Sequence, residues 1–165
     1  MMKKLLIASL SVAFSCLSSS AQDVTLAEDD AYSMALYYSA RGYNPFPVTN
    51  GVDGSGAKKE FTLTVQKGID YVFLAGRDKY IQDLDLYVYD EAGALIMKDR
   101  RRTSRAGVRF RAQFDGNVRV IMHIARSNGL GAWSMLLCSR GGGERKDPKP
   151  AGGSFGTGGG SNEGI

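Results

Sequence analysis

Two sets of residues in this chain could do chemistry: carboxylates spaced two apart, and a dense run of arginines. Asp83 and Asp85 alternate with Leu84 and Leu86, so on a strand they share one face at about twice the ~3.3 Å rise. A carboxylate pair of that kind can serve as general acid and base in hydrolysis. With Asp90, and with Asp78 nearby, the same carboxylates can offer calcium its hard oxygen ligands. Asp83, Asp85 and Asp90 are therefore the candidate metal ligands, and calcium is the one candidate cofactor. His123 is the single histidine, so any Ser/His/Asp triad would have to use it. Its place among Ile121, Ile124 and Ala125 predicts a sheet histidine with a satisfied ring instead. No phosphate loop and no zinc spacing occurs.

The basic set is Lys98, Arg100, Arg101, Arg102 and Arg105, followed by Arg109 and Arg111. Forked guanidinium groups bind phosphate, sulfate or carboxylate through paired, charge-assisted bonds. These seven residues are the candidate anion-binding site. The fitting partners are an anionic glycan, a lipid headgroup or an acidic protein; nucleic acid would use the same chemistry with steep salt dependence. The competing explanation is a solvated basic loop that keeps a sheet edge from pairing with other chains. Charge is divided along the sequence. In residues 22–97 acids outnumber bases two to one, whereas in residues 98–126 nine bases face two acids. That asymmetry implies faces of opposite sign, or an anionic partner for the second half.

The elements that carry these residues are mostly strands. Asp83-Leu84-Asp85-Leu86-Tyr87-Val88-Tyr89-Asp90 alternates with period two, which predicts a half-buried strand with Leu84, Leu86 and Val88 inward. Lys67-Gly68 predicts one turn; residues 90–93 predict a tight turn with Gly93 at positive φ, and Ala94-Leu95-Ile96-Met97 the returning strand. Residues 98–105 read as a loop, so replacing Arg100, Arg101 and Arg102 by Ser is expected to leave the fold intact. Further strands are expected from Phe61, Leu63 and Val65, from residues 71–75, from Val108, Phe110 and Ala112, from Val118 to Ile124, and from residues 133–138. The alternation sets Arg109 and Arg111 toward solvent. Regular β pattern is expected to begin at Glu60, after a loop over residues 50–56. Thr25-Leu26-Ala27-Glu28 is a capping-box pattern, which predicts one short helix over residues 26–41 with Gly42 as its stop.

The ends of the chain differ from its middle. Lys3 and Lys4, the apolar run over residues 5–17, and Ser19-Ser20-Ala21 form a secretory signal with cleavage near Ala21. The apolar run is shorter than the ~20 residues a membrane span needs. Cleavage would remove Cys16 and leave Cys138 alone, at the end of an apolar strand where burial is expected. Residues 141–165 are Gly-rich and poor in large apolar side chains, so they are expected to stay disordered. The expected division is residues 1–21 signal peptide, 22–57 helix and loop, 58–140 β-sandwich, and 141–165 tail. The fold class is all-β: a jelly-roll-like antiparallel β-sandwich with a short N-terminal helix.

Phe61-Thr62-Leu63-Thr64-Val65, Lys67-Gly68, Tyr71-Val72-Phe73, the run from Asp83 to Gly93, Val108-Arg109-Phe110, Asp115-Gly116 and Gly131-Ala132-Trp133-Ser134-Met135-Leu136 together resemble the bacterial pre-peptidase C-terminal domain. The resemblance spans about residues 58–139, and the Asp83 run is its most specific part. It implies a small jelly-roll-like sandwich of the kind that follows the catalytic unit in many secreted proteases. Members are non-catalytic and linked to secretion and to substrate or matrix binding; in bacterial collagenases they are linked to calcium and collagen. The family's loop after the hairpin is small and polar, whereas here it is the arginine run. The expected function is a secreted or periplasmic, non-enzymatic module that binds an anionic extracellular or envelope partner through this basic loop. The alternatives are a secreted hydrolase using Asp83 or Asp85, and a calcium-stabilised accessory domain for a separate protease.

Overall fold

The computed structural model describes residues 17–141, with side chains from residue 24 onward. Most of the expected signal peptide (residues 1–16) and the tail beyond residue 141 lie outside the described residues. Helix α1 (Leu17–Ser39) is followed by eight strands: β1 (Asn44–Asp53), β2 (Lys58–Val65), β3 (Asp70–Arg77), β4 (Ile81–Asp90), β5 (Leu95–Asp99), β6 (Ala106–Arg111), β7 (Gly116–Ser127) and β8 (Gly131–Arg140). They form two four-stranded sheets, sheet A in the order β1-β8-β3-β6 and sheet B in the order β2-β7-β4-β5. Every ladder is antiparallel. Successive strands mostly cross between the sheets, which is the jelly-roll arrangement of a double-sheet sandwich.

The expected alternation is realised. Leu84, Leu86 and Val88 of β4 and Val118, Val120, Met122 and Ile124 of β7 are fully buried. They meet Phe73, Met135, Leu137 and Trp133 from sheet A in one core. Burying a Leu, Ile or Phe side chain is worth roughly 1.5–3 kcal/mol, so this cluster is the main favourable term for the sandwich. Gly68 and Gly93 adopt φ of 83° and 82°, closing the two turns the sequence predicts. The turn after β4 is further held by Asp90, whose Oδ1 accepts the Ala94 N–H at 2.7 Å.

Two elements differ from expectation. Among the described residues the helix is already formed at Leu17, so Thr25 lies inside it and is not its N-cap. No Gly or Pro interrupts residues 17–25, and continuing the helix satisfies the N–H groups that a cap would have served. Glu28 instead accepts a bond from Asn50 on β1. The far end behaves as predicted. Gly42 takes φ of 82°, Tyr43 N–H bonds Tyr38 C=O, and Gly42 N–H bonds Ser39 C=O. These two bonds are a Schellman closure, and the Tyr38 and Tyr43 rings meet edge to face over it.

The second difference is β1, whose last residues occupy the segment expected as a loop. Pro45 and Pro47 hid it, but proline is tolerated on an edge strand, where missing N–H groups cost no ladder bond. β1 is the edge of sheet A and pairs only with β8, with a bulge between Pro47 and Thr49.

α1 lies on the outer face of sheet A. Ala31, Ala35 and Tyr43 cover Val72, Leu74, Leu136 and Cys138 in a second, smaller core. The approach is close because Gly76 has no side chain: a Cβ there would sit 2.3 Å from the Ala31 nitrogen and 2.6 Å from the Ala27 oxygen. Cys138 is fully buried, as expected, and burial pushes its thiol up to about 11. Among the described residues no helix is long and apolar enough to cross a membrane.

Candidate functional site

The basic residues gather at one end of the strand order, where β5 ends sheet B and β6 ends sheet A. β5 runs to Asp99, so Lys98 sits on a strand, opposite Tyr87, and not in the loop. Residues 100–105 cross from one sheet to the other. Arg109 and Arg111 point outward from β6 and are exposed, as the alternation with Val108 and Phe110 predicts.

The organising group at this edge is an acid. Asp99 is only 6% exposed. Its Oδ1 accepts Arg101 Nε at 2.9 Å and the Arg101 N–H at 3.1 Å. Its Oδ2 accepts Arg101 Nη2 at 2.8 Å and the Gly107 N–H of β6 at 3.0 Å. One carboxylate thus ties the end of β5, the loop and the start of β6 together. Burial pushes the Asp99 carboxyl up, but the Arg101 side chain, with the Gly107 and Arg101 N–H groups, outweighs burial and holds it below its ordinary value. Arg105 is committed too: its guanidinium pairs with Asp30 of α1, whose other oxygen accepts the Arg77 N–H at 3.2 Å.

The seven candidate residues therefore divide. Arg101 and Arg105 hold the loop to the rest of the protein. Lys98, Arg100, Arg102, Arg109 and Arg111 form no ion pair among the described residues, and all five are exposed. An open groove of about 360 Å³ runs along the edge, lined by Met97 to Arg101 and by Gly107 to Arg109. The expectation that Arg101 could be replaced without structural cost is corrected: its removal would strip Asp99 of its fork. Arg119 does not extend the patch. It lies on β7, interior to sheet B, over the Tyr89 ring and 3.8 Å from Glu60.

The carboxylates do not assemble. Asp83 and Asp90 lie near opposite ends of β4, about 23 Å apart at strand rise. Asp90 holds its turn. Asp85 is 7% exposed although it is on the outer face. Its Oδ2 takes the Tyr87 hydroxyl at 3.3 Å and lies 3.3 Å from His123 Nδ1. Burial, with the charge of Asp85, pushes the Tyr87 phenol above its ordinary value. Asp78 is spent clamping a turn, accepting the Tyr80 and Ala132 N–H groups at 2.8 Å each. Among the described residues no three His, Cys, Asp or Glu side chains stand where they could hold one metal ion. Asp83, Asp85 and Asp90 are thus corrected as a joint calcium set, because the strand that carries them separates them.

The same geometry bears on catalysis. Neither Asp83 nor Asp85 lines the basic groove or the second groove, about 380 Å³, beside Asp90 and Arg119. His123 has its ring engaged by Asp85, and among the described residues no serine hydroxyl bonds to it. Two residues escaped the sequence reading, Asp99 as the hub and Asp30 as the partner of Arg105. A signal for the first was present, since Asp99 is the lone acid amid the basic run. Nothing local could reveal the second, which is 75 residues from its partner.

No family model matches the chain, and no curated protein matches it. Solved structures are similar to it in part. PliG from Aeromonas hydrophila, a periplasmic inhibitor of g-type lysozyme, is 11% identical, covering 61% of this chain and 90% of its own, with a TM-score of 0.45. The pre-peptidase C-terminal domain of a collagenase from Bacillus anthracis is 12% identical, covering 56% of this chain and 88% of its own, with a TM-score of 0.40. The Bacillus licheniformis lipase BlEst2 in propeptide form is 15% identical, covering 59% of this chain and 22% of its own, with a TM-score of 0.38. Likenesses this loose describe what the sandwich is similar to and assign no family.

Proposed function

We propose that the chain is a non-catalytic β-sandwich module of the pre-peptidase C-terminal kind. In this reading residues 1–21 export it, and it binds an anionic partner outside the cytoplasm through its β5–β6 edge. The observation that carries the reading is the set of five exposed cations, Lys98, Arg100, Arg102, Arg109 and Arg111, that form no ion pair among the described residues and gather at the β5–β6 edge, where Lys98, Arg100 and Arg109 line one groove. A protein that needs arginine only for solubility gains nothing from crowding like charges, which repel one another. Here a buried carboxylate fixes the loop while leaving its neighbours uncompensated. Sulfated or uronic glycan, lipid phosphate and acidic protein all fit the charge, and nucleic acid fits it less well in an exported protein.

The test is retention on heparin resin. Arg100→Ser, Arg102→Ser and Arg109→Ser are combined, with Arg101 and Arg105 kept because they hold the loop. The parent should elute at clearly higher salt than the triple variant, since exposed charges are screened over about 8 Å at physiological ionic strength. Equal elution, with matching circular dichroism, would mean that the edge is a solvated surface and that the reading is wrong.

A further inference from the structure

A basic edge attracts any polyanion; the backbone groups along β6 select among them. β6 is the last strand of sheet A, so one side of its backbone is unpaired. In an antiparallel ladder, residues alternate between exchanging bonds with the neighbouring strand and pointing them away. Just past β6, Ala112 N–H donates to Ile69 C=O at 3.0 Å, and its C=O accepts Gly68 N–H at 2.8 Å. Even-numbered residues therefore face β3, and Gly107, Arg109 and Arg111 direct their backbone outward. Two of these positions are partly closed. The Gly107 N–H goes to Asp99, and the Arg111 C=O accepts Gln113 Nε2 at 3.2 Å. Between them the Arg109 N–H and C=O and the Arg111 N–H have no protein partner among the described residues. The open stretch is short, has a fixed register, and lies beside the groove that Lys98, Arg100 and Arg109 line.

We propose, resting on the anionic-partner reading above, that the partner is an acidic polypeptide segment that enters this groove extended and adds a strand to β6. Its backbone exchanges both bonds with Arg109. Its carboxylates, at alternate residues about 7 Å apart, share one face of the added strand. They reach Arg109 and Arg111 on the outer face of sheet A, while Lys98 and Arg100 line the groove that the segment enters. Strand addition draws affinity from main-chain bonds and specificity from alternating side chains. A glycan or a lipid headgroup matches the charge but has no N–H and C=O groups at strand spacing. The positive edge also repels a second copy of itself, so it stays open for a chain of opposite sign.

The test uses the full chain, labelled with nitrogen-15, and three probes. These are a twelve-residue peptide alternating Glu and Thr, the same peptide N-methylated at alternate residues along one edge, and a heparin oligosaccharide of matched charge. The unmodified peptide should bind, slow hydrogen exchange at the Arg109 amide, and lose about tenfold in affinity on methylation, as expected for one or two net hydrogen bonds. Arg109→Pro deletes an outward N–H and no β3 bond, and should weaken peptide binding more than Arg109→Ala does. Equal binding of the two peptides, or tighter oligosaccharide binding with the Arg109 amide unchanged, would overturn strand addition and leave the anionic-partner reading standing. Failure of all three probes to bind would overturn both. Should Arg109→Pro not fold, the methylated peptide alone decides.

Discussion

The outer faces of the two sheets are unlike. In sheet A, β3 and β8 bury side chains in both directions: Phe73, Ala75, Met135 and Leu137 enter the sandwich, while Val72, Leu74, Leu136 and Cys138 pack under α1. In sheet B, β4 and β7 bury apolar side chains in one direction only, and Asp85, Tyr87, Arg119, Ile121 and His123 lie on a face that no helix covers among the described residues. The strands record this difference in composition. A strand covered on both faces reads as a continuous apolar run, and one covered on a single face alternates. The basic edge sits where the two regimes meet, with β6 at the margin of the covered sheet and β5 at the margin of the bare one. Arg105 reaches from the edge to Asp30 on the covering helix, so α1 helps to hold the loop as well as the core.

The largest effect should come from the covered face. Leu136 is fully buried, and Leu136→Ala should cost ~2–5 kcal/mol through lost transfer energy and the cavity left behind. The outer-face residue Ile121, changed to Ala, should cost much less. Chemical unfolding of both variants gives the comparison, and equal losses would mean that α1 does not seal sheet A.

Gly76→Val attacks the same seal from the sheet side. Its side chain would meet the backbone of Ala27 and Ala31, so the helix must lift, at roughly 1–3 kcal/mol for overpacking. Trypsin should then cleave at Arg41 faster than in the parent. Unchanged cleavage and an unchanged melting temperature would show that the helix approaches less closely than described.

Asp99→Asn probes the edge. The Asp99 carboxyl lies below its ordinary value in the folded chain, so its contribution is complete above the unfolded carboxylate value, near 4. It is lost as pH falls through the lower, folded value. The parent should therefore lose stability over that acid interval more steeply than Asp99→Asn. At neutral pH the variant should be weaker by about 1–3 kcal/mol, because a buried ion-paired acceptor is replaced by a poorer one. Parallel melting-temperature curves from pH 2 to 7 would remove Asp99 as the hub.

The smallest effect is expected at the uncommitted cations. Arg100→Ser with Arg102→Ser should shift stability by no more than about 0.5 kcal/mol, as exposed positions outside caps and cores do. A large loss in thermal unfolding would mean that these side chains hold the fold, and would blur the division between committed and free arginines.

Much of this was legible in the amino-acid order. Period-two alternation placed Leu84, Leu86, Val88, Val108 and Phe110 in the core before any contact was known, because a pleated strand leaves no other way to bury them together. Gly42, Gly68 and Gly93 marked a helix stop and two turns, since each needs a positive φ that only glycine adopts without cost. The arginine run was visible as a charge cluster. Tertiary structure alone decided the rest. It turned Pro45 and Pro47 into an edge strand. It also sorted the arginines, committing Arg101 to Asp99 and Arg105 to Asp30 while leaving Arg100, Arg102 and Arg109 free. The physical reason is range. Alternation, capping and turn chemistry act over a few residues, whereas an ion pair between residues 30 and 105 exists only after the chain has closed around it.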